Sequence, residues 1–526
     1  MEEAKPIPAS PVIETMDDKH SGKNSPDLKT HHGVTLIPRP SDDPRDPLNW
    51  SMPKKIGIVA VLCFAVFCGF VAPLAGQLNL KAQAALYKQS TVHIAWQNSA
   101  ASAGLASGGF FFAPVSFKLG RSSVIFWTLI ACLLTQIWAA EMIHRSDFNS
   151  FIVSRFFSGF FGGVTGVLGP RILVDLFFLH QRGRAFTAFH WCLNFGSVAG
   201  PTLSAFISSN RSWTLEFWWT VGLLGFTIIL CFLFMHETSW YRESGAENPA
   251  APDSFLANRM ATFLPGSRVT PKTSARQTGR IAAIPFLIAV SPVTLIMSVF
   301  TLISFGFYIA MNALTPVFLQ KPEKIGGYGF DTFQNACFSF VHWIGIGFAL
   351  VYGHFISDRL PLAICARNGG IWKPEYRLHA LWVPAMIFNP IGLGLVGYSL
   401  AYHKSWVVLA VSEVFVTFGS LSLIPITVNY ICECFTQNPA EASITSNFYR
   451  LIFGLTVAFY INEWVADVTV KWVFGMMAFF DILAFQFIVL LMWKGHQIRE
   501  WTVGGLNVTE EGEKVVETGS ETDVSV

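Results

Sequence analysis

Two carboxyl groups stand deep inside apolar runs, Glu413 in LAVSEVFVTFG and Asp481 in MAFFDILAFQF. Counted at ~1.5 Å per residue, each lies about 12 to 15 Å along its helix from the outer end. An unpaired charge at the centre of a bilayer costs at least ~2.5 kcal/mol, so a carboxyl there has a task or a partner. Removed from water, a carboxyl holds its proton more firmly and can exchange it near neutral pH. Each acid is therefore either a proton carrier or a protonated group hydrogen-bonded to a neighbouring helix. Arg155 is a further ionisable group in an apolar run. Gly159 and Gly163 follow it at four-residue spacing, which places a cation and two bare patches of backbone on one helix face. The arginine either serves the interior of a bundle or snorkels to the outer interface. Asn98, His190, Asn194, Asn312 and His342 are further polar candidates, each able to line a substrate cavity or to bond one helix to the next.

Long apolar helices are needed to hold these groups. The run from about 151 to 173 is joined to that from about 185 to 207 by DLFFLHQRGR, a short charged connector carrying Asp175, His180, Arg182 and Arg184. The second run reads NFGSVAGP, so Gly196 and Gly200 form a small-xxx-small pair with the helix-kinking Pro201 directly after it. Two apolar spans of about 20 residues joined by so basic a loop form a transmembrane hairpin. Composition agrees: 52% of the 526 residues are hydrophobic and 13% charged, against roughly 25% charged in a soluble domain. Mean hydropathy is +0.45. The chain is an integral membrane protein. Its net charge of +2, from 36 basic and 34 acidic residues, leaves no footprint for nucleic acid. The nine cysteines fall mostly in apolar runs and show no metal or disulfide spacing. The G-x-x-x-x-G-K-[ST] phosphate loop is absent, which argues against an ATP-driven pump. No catalytic triad, paired-histidine motif or heme-ligation pattern is present, so neither an enzyme nor a cofactor is expected.

Taken in order, the chain opens on a Pro-rich, charged tail over 1–52 that reads as disordered and cytosolic. Twelve apolar runs follow, each long enough to cross a hydrocarbon core of about 30 Å. Their centres fall near residues 66, 104, 132, 162, 196, 227, 297, 344, 391, 417, 454 and 482. The third, tenth and twelfth are the cleanest; the seventh, rich in Pro and Ser, is expected to be bent or broken. The organisation predicted is an all-α membrane fold with a six-helix bundle over 53–240, a cytosolic loop over 241–283, a second six-helix bundle over 284–495 and a cytosolic tail over 496–526. The halves look like weak parallel repeats. Pro170 with Asp175 is mirrored by Pro425 with Tyr430, and Ala185 with Gly196 by Ala442 with Gly454. Loop charge sets the orientation: about 19 Lys and Arg on the side of the termini against about 8 on the other make the first side cytoplasmic. Of three glycosylation sequons, Asn49 and Asn507 then lie inside and Asn210 alone lies in an outer loop.

Several strings now carry a resemblance: DPLNW before the first span, RFFSGFFGG in the fourth, DLFFLHQRGR after it, GSVAGP in the fifth, HETSWYR after the sixth, SDR at 357–359, PEYRL at 374–378 and NFYRLIFG at 447–454. In this order and at these depths they are similar to the fungal major facilitators, specifically the drug:proton antiporter family with twelve spans, over about residues 43–495. The resemblance implies that Arg155 belongs to the fourth-span motif associated with proton coupling. It also implies that Gly196, Gly200 and Pro201 form the fifth-span antiporter motif, which lets the halves rock without leaking. After the second span the family carries an acid and then a Gly-Arg-Arg cluster that latches the cytoplasmic gate; here the stretch is SFKLGRSS. Phe117 stands at the acid's place and Ser122 at the second arginine's, leaving Lys118, Gly120 and Arg121. The latch is expected to be weakened or rebuilt, with Asp358 of the surviving Asp358 and Arg359 pair as a substitute acid.

The reading that follows is a proton-coupled secondary transporter working by alternating access, exporting small hydrophobic organic molecules such as drugs, toxins or secondary metabolites. Glu413 is the first candidate for the coupling acid. Uptake of a cationic amine, with Glu413 as counter-ion, is the alternative within transport, and a non-transporting sensor the alternative outside it. The partners expected are lipid, a small-molecule substrate and protons. A monomer in the plasma membrane is expected, with the vacuolar membrane as the other location.

Overall fold

The computed structural model describes residues 30–31, 34–35, 40–240, 248–264, 268–270, 275–323, 326–357, 359–368, 372–435 and 438–506. Among them Thr30–His31 (β1) and Val34–Thr35 (β2) form a short antiparallel pair, and the rest is helical or irregular.

The first half runs through α1 (Met52–Leu74), α2 (Leu80–Tyr87), α3 (Thr91–Leu119), α4 (Arg121–Glu141), α5 (Phe148–Gly162), α6 (Val164–Leu176), α7 (Leu179–Ser208) and α8 (Leu215–Phe234). Between the halves lie α9 (Phe255–Phe263) and α10 (Ala275–Ala289). The second half comprises α11 (Pro292–Gln320), α12 (Thr332–Phe338), α13 (Phe340–Tyr352), α14 (Arg359–Arg367), α15 (Asn389–Ala401), α16 (Trp406–Cys434), α17 (Pro439–Val468) and α18 (Val470–Leu506). Helix ends follow local chemistry. Ser90 accepts from His93 N to start α3, Asp331 forms a capping box with Gln334 at α12, and Pro292 opens α11. Gly120, at φ +84, lets α4 follow α3 without an intervening loop, in a backbone region that side chains rarely adopt.

Eleven helical stretches of the described chain are long and apolar enough to span a membrane; Leu179–Ser208, at 30 residues, is long enough but is diluted by His190, Asn194 and several serines. The fourth span is two helices that part at Gly162 and Gly163. The seventh run is broken as expected, at Val290 and Ser291, and α11 is continuous from Pro292. Two expectations need correction. The disordered tail stops short of position 52, because residues 40–51 form a compact turn. There Asp46 accepts from Leu48 N, Asn49 donates to the Ser41 and Asp43 carbonyls, and Leu48 is buried. At the other end α18 continues as helix to Leu506, past the predicted limit at 495.

Within each half the seams are tight: α3 packs along α5, α1 along α7, and α15 along both α16 and α18. Across the halves α17 lies on α3 and α6, while α12 and α13 lie on α7. The end of the bundle where α1 begins is here called the basic end and the other the distal end.

Candidate functional site

A cavity of about 120 Å³ lies between the halves, from mid-depth toward the distal end. Asn98, Ser99 and Ser102 of α3 line it from one side, with Ser197 and Pro201 of α7. From the other half come Tyr308, Asn312 and Thr315 of α11, His342 of α13, Glu413 of α16 and Arg450 of α17. Contacts between the halves flank it on both sides. Distally, Gln320 Nε2 donates to the Leu78 carbonyl at 2.7 Å and Trp343 Nε1 to Thr202 Oγ1 at 3.1 Å. Toward the basic end the Phe110 ring packs edge-on against Phe448 at 4.8 Å, and Arg171 pairs with Glu441 at 2.6 Å. A transporter with such contacts on both sides of its site has to break one set at a time to exchange its contents.

The two acids singled out by sequence have different surroundings. Glu413 is fully buried in the cavity wall, its Oε2 3.6 Å from His342 Nε2, and neither oxygen accepts a hydrogen bond of normal geometry. His342 Nδ1 lies 2.8 Å from Thr417 Oγ1. Asp481 does not reach the cavity. It sits inside the second half, accepting from Ser304 Oγ and, at 3.0 Å, from Asn389 Nδ2, whose Oδ1 in turn accepts from Ser420. Satisfied on both oxygens, Asp481 ties α18 to α11 and α15.

Arg155 is away from the cavity as well, and it does not snorkel. Only 1% exposed, it aims Nη2 at the carbonyls of Ala72, Pro73 and Ala75 at 3.1, 2.6 and 2.8 Å, and Nη1 at Gln136 Oε1 at 3.3 Å. These are the terminal carbonyls of α1, which have no intrahelical donor, so the cation satisfies the negative end of that helix. Of the polar candidates, Asn98, Asn312 and His342 line the cavity. His190 is buried, with Nδ1 donating to the Phe186 carbonyl at 2.9 Å, and Asn194 is buried beside it on α7. Asn210 is exposed in the turn between α7 and α8.

The glycines mark close helix seams. A Cβ on Gly159 would meet Leu105 N at 2.9 Å and one on Gly163 the Leu105 carbonyl at 3.0 Å, so both lie against α3. Gly196 faces the Phe67 carbonyl at 2.6 Å and Gly200 the backbone of Val71 at 2.9 Å, both on α1. That seam lies within the first half rather than between the halves; of GSVAGP, Ser197, Val198 and Pro201 line the cavity and the two glycines do not.

At the basic end the departure from the family's latch is filled by other residues. The Arg121 guanidinium pairs with Asp175. Glu237, from HETSWYR, accepts from the backbone N of Arg121 and Ser122 at 3.2 and 3.1 Å and so caps α4 with a carboxylate. Phe117 carries the guanidinium of Arg171 at 3.9 Å from its ring centre, and that same Arg171 crosses to Glu441 of the second half. Asp358, the expected substitute acid, lies outside the described residues; Arg359 is exposed and sits over Phe355 at 5.6 Å. Single charge reversals at Arg171 or Glu441 are expected to lower transport about tenfold each, with Arg171→Glu plus Glu441→Arg recovering most of it, a coupling on the order of 2–3 kcal/mol. Rates of the three variants in reconstituted vesicles check this, and a double reversal no better than the singles would remove the pair from the gate.

The sequence model of the Major Facilitator Superfamily matches residues 56–388. The chain belongs to the Major Facilitator Superfamily. Its relatives include the MFS-type transporter penM of Penicillium rubens, 26% identical over 479 residues that cover 87% of this chain and 88% of that one. The efflux pump radE of Floropilus chiversii is 26% identical over 471 residues, covering 87% and 83%. Among solved structures, the proton:xylose symporter XylE of this superfamily, bound to 6-bromo-6-deoxy-D-glucose, matches with a TM-score of 0.60 at 13% identity, over 85% of this chain and 96% of that one. At that identity the likeness is one of fold. Major facilitators are membrane transporters rather than enzymes, and in this one the two halves meet around the cavity.

Besides Arg171 and Glu237, the charged groups of this facilitator that escaped the sequence reading include three buried ones. Glu216 is fully buried at the start of α8, accepting from Ser208 Oγ at 2.7 Å. It falls at the edge of its apolar run, where an acid reads as interfacial. Arg450 stands inside NFYRLIFG, a string read only as a family marker. Glu441 precedes its run, and nothing local ties it to Arg171, 270 positions away.

Proposed function

We propose that this major facilitator is a proton-coupled exporter of small hydrophobic organic molecules, with the Glu413 carboxyl as the group that takes up and releases the proton. The observation that carries the reading is the position of Glu413: buried, without a cation locking it, beside His342 and in the wall of a cavity shared by both halves. An acid so placed is exposed to whichever side the cavity opens, so its proton can be loaded at one face and released at the other. Asp481, bonded on both oxygens away from the cavity, serves as structure. Export is the direction supported by the relative named as an efflux pump. Uptake of a cationic amine is the weaker reading, because Arg450 shares the cavity and repels a second cation. A monomer in the plasma membrane completes the proposal.

Glu413→Gln mimics the protonated acid. In vesicles it is expected to abolish the dependence of drug accumulation on an imposed pH gradient, while equilibrium binding of the same drug to the purified protein changes less than threefold. A variant that still follows the gradient would remove Glu413 from coupling; loss of cation binding instead would favour the counter-ion role.

A further inference from the structure

Three arginines of the described chain are buried to 3% exposure or less: Arg155, Arg259 and Arg450. Arg155 gives Nη1 to Gln136 and Nη2 to the carbonyls at the end of α1, and its Nε alone has no partner. Arg259 donates to the Met235 carbonyl and lies 3.0 Å from His236 Nε2. Arg450 differs. Its Nε is unpartnered like theirs, but no hydrogen bond or ion pair reaches its other nitrogens either, and the side chain lines the cavity between the halves.

A guanidinium taken out of water and left unpaired is costly, more so than a buried neutral group. The cavity holds a carboxylate, Glu413, yet the two do not pair. Glu413 lies against His342, whereas Arg450 rests 5.0 Å over the face of Phe305. The same cavity is lined by the apolar Leu105, Leu193, Leu451 and Phe338. The cavity thus presents a planar cation with free donors set in an apolar lining, the combination that recognises a carboxylate carried on a hydrophobic body.

We propose that Arg450 is an anion-binding subsite and that the transported molecule is an apolar organic acid, its carboxylate held by the Arg450 guanidinium and its hydrophobic body by the surrounding side chains. This rests on the reading of the cavity as the transport site. It also assigns the two charges separate duties: Arg450 holds the substrate, and Glu413, at a distance, is left to exchange the proton. Arginine suits the first duty better than lysine because its fork meets both carboxylate oxygens at once.

The probes are 1-naphthoate and its uncharged methyl ester, titrated against the purified full-length protein by thermal stabilisation. Wild type is expected to bind the acid at least tenfold more tightly than the ester. Arg450→Gln should lose at least tenfold for the acid and leave the ester unchanged, and Arg450→Lys, which keeps the charge and guards against a folding artefact, should fall between. Ser102→Trp, which fills the cavity from α3, should weaken both probes. Equal binding of acid and ester by wild type overturns the proposal, as does an acid preference that survives Arg450→Gln while Ser102→Trp abolishes binding; in that second case the cavity stands as the site. Binding of both probes untouched by Ser102→Trp overturns the cavity reading itself, and the subsite with it.

Discussion

Gly200→Leu is expected to leave no transport and less than a tenth of the normal amount of folded protein. The reason is the atom it meets. A Cβ at position 200 would stand 2.9 Å from both the Cα and the carbonyl oxygen of Val71, which are backbone and cannot rotate aside. One turn earlier Gly196 faces the Phe67 carbonyl at 2.6 Å, so the same seam between α1 and α7 is tight twice. Overpacking a core costs typically about 1–3 kcal/mol for each modest enlargement, and four added carbons against backbone exceed that range. The family resemblance implied a motif that lets the halves rock without leaking. The structure places it inside the first half, so folding itself should fail. Gly200→Ala is expected to be folded but measurably less stable. Size-exclusion profiles and melting curves of tagged protein in detergent check both; a monodisperse Gly200→Leu protein as stable as wild type would show that the seam opens at little cost.

Arg155→Leu is expected to destabilise the first half by about 3–5 kcal/mol, the usual consequence of removing one side of a buried charged network. Three carbonyls at the end of α1 and the Gln136 amide oxygen lose a donor together, in surroundings where water cannot replace it. Arg155→Lys keeps the charge but reaches fewer of these oxygens, so an intermediate loss of stability is expected. The same variant separates capping from coupling. If Arg155 serves chiefly to cap α1, the folded Arg155→Lys protein transports with a normal dependence on the pH gradient. Normal stability with the gradient dependence gone would instead assign the arginine to the proton step.

The all-helical membrane fold was readable from the chain because the signal is local. A run such as IVAVLCFAVFCGFVAPL in α1 declares a span from its own residues, and hydrocarbon admits few alternatives to a helix. The glycine seams were readable for a related reason: four-residue spacing puts Gly159 and Gly163, or Gly196 and Gly200, on one face whatever lies opposite. Which helix lies opposite was not. That Gly200 meets α1 rather than the second half depends on how distant segments pack.

The same limit governed the charges. Glu413 and Asp481 look alike in sequence, each a lone acid in an apolar helix. Ser304 and Asn389, far away in the chain, satisfy Asp481, while the half-to-half interface leaves Glu413 beside His342 at the cavity. Arg171 and Glu441 come together across 270 positions, Phe117 provides the face on which the arginine rests, and Arg450 becomes a cavity group only because α17 packs against α3. Hydrophobic length and helical period act within one segment, so the sequence by itself determined the class of fold and singled out Glu413, Asp481 and Arg155 as ionisable groups within it. Pairing, exposure to the cavity and the choice between structural and working acids are properties of several segments at once, and only the tertiary structure decided them.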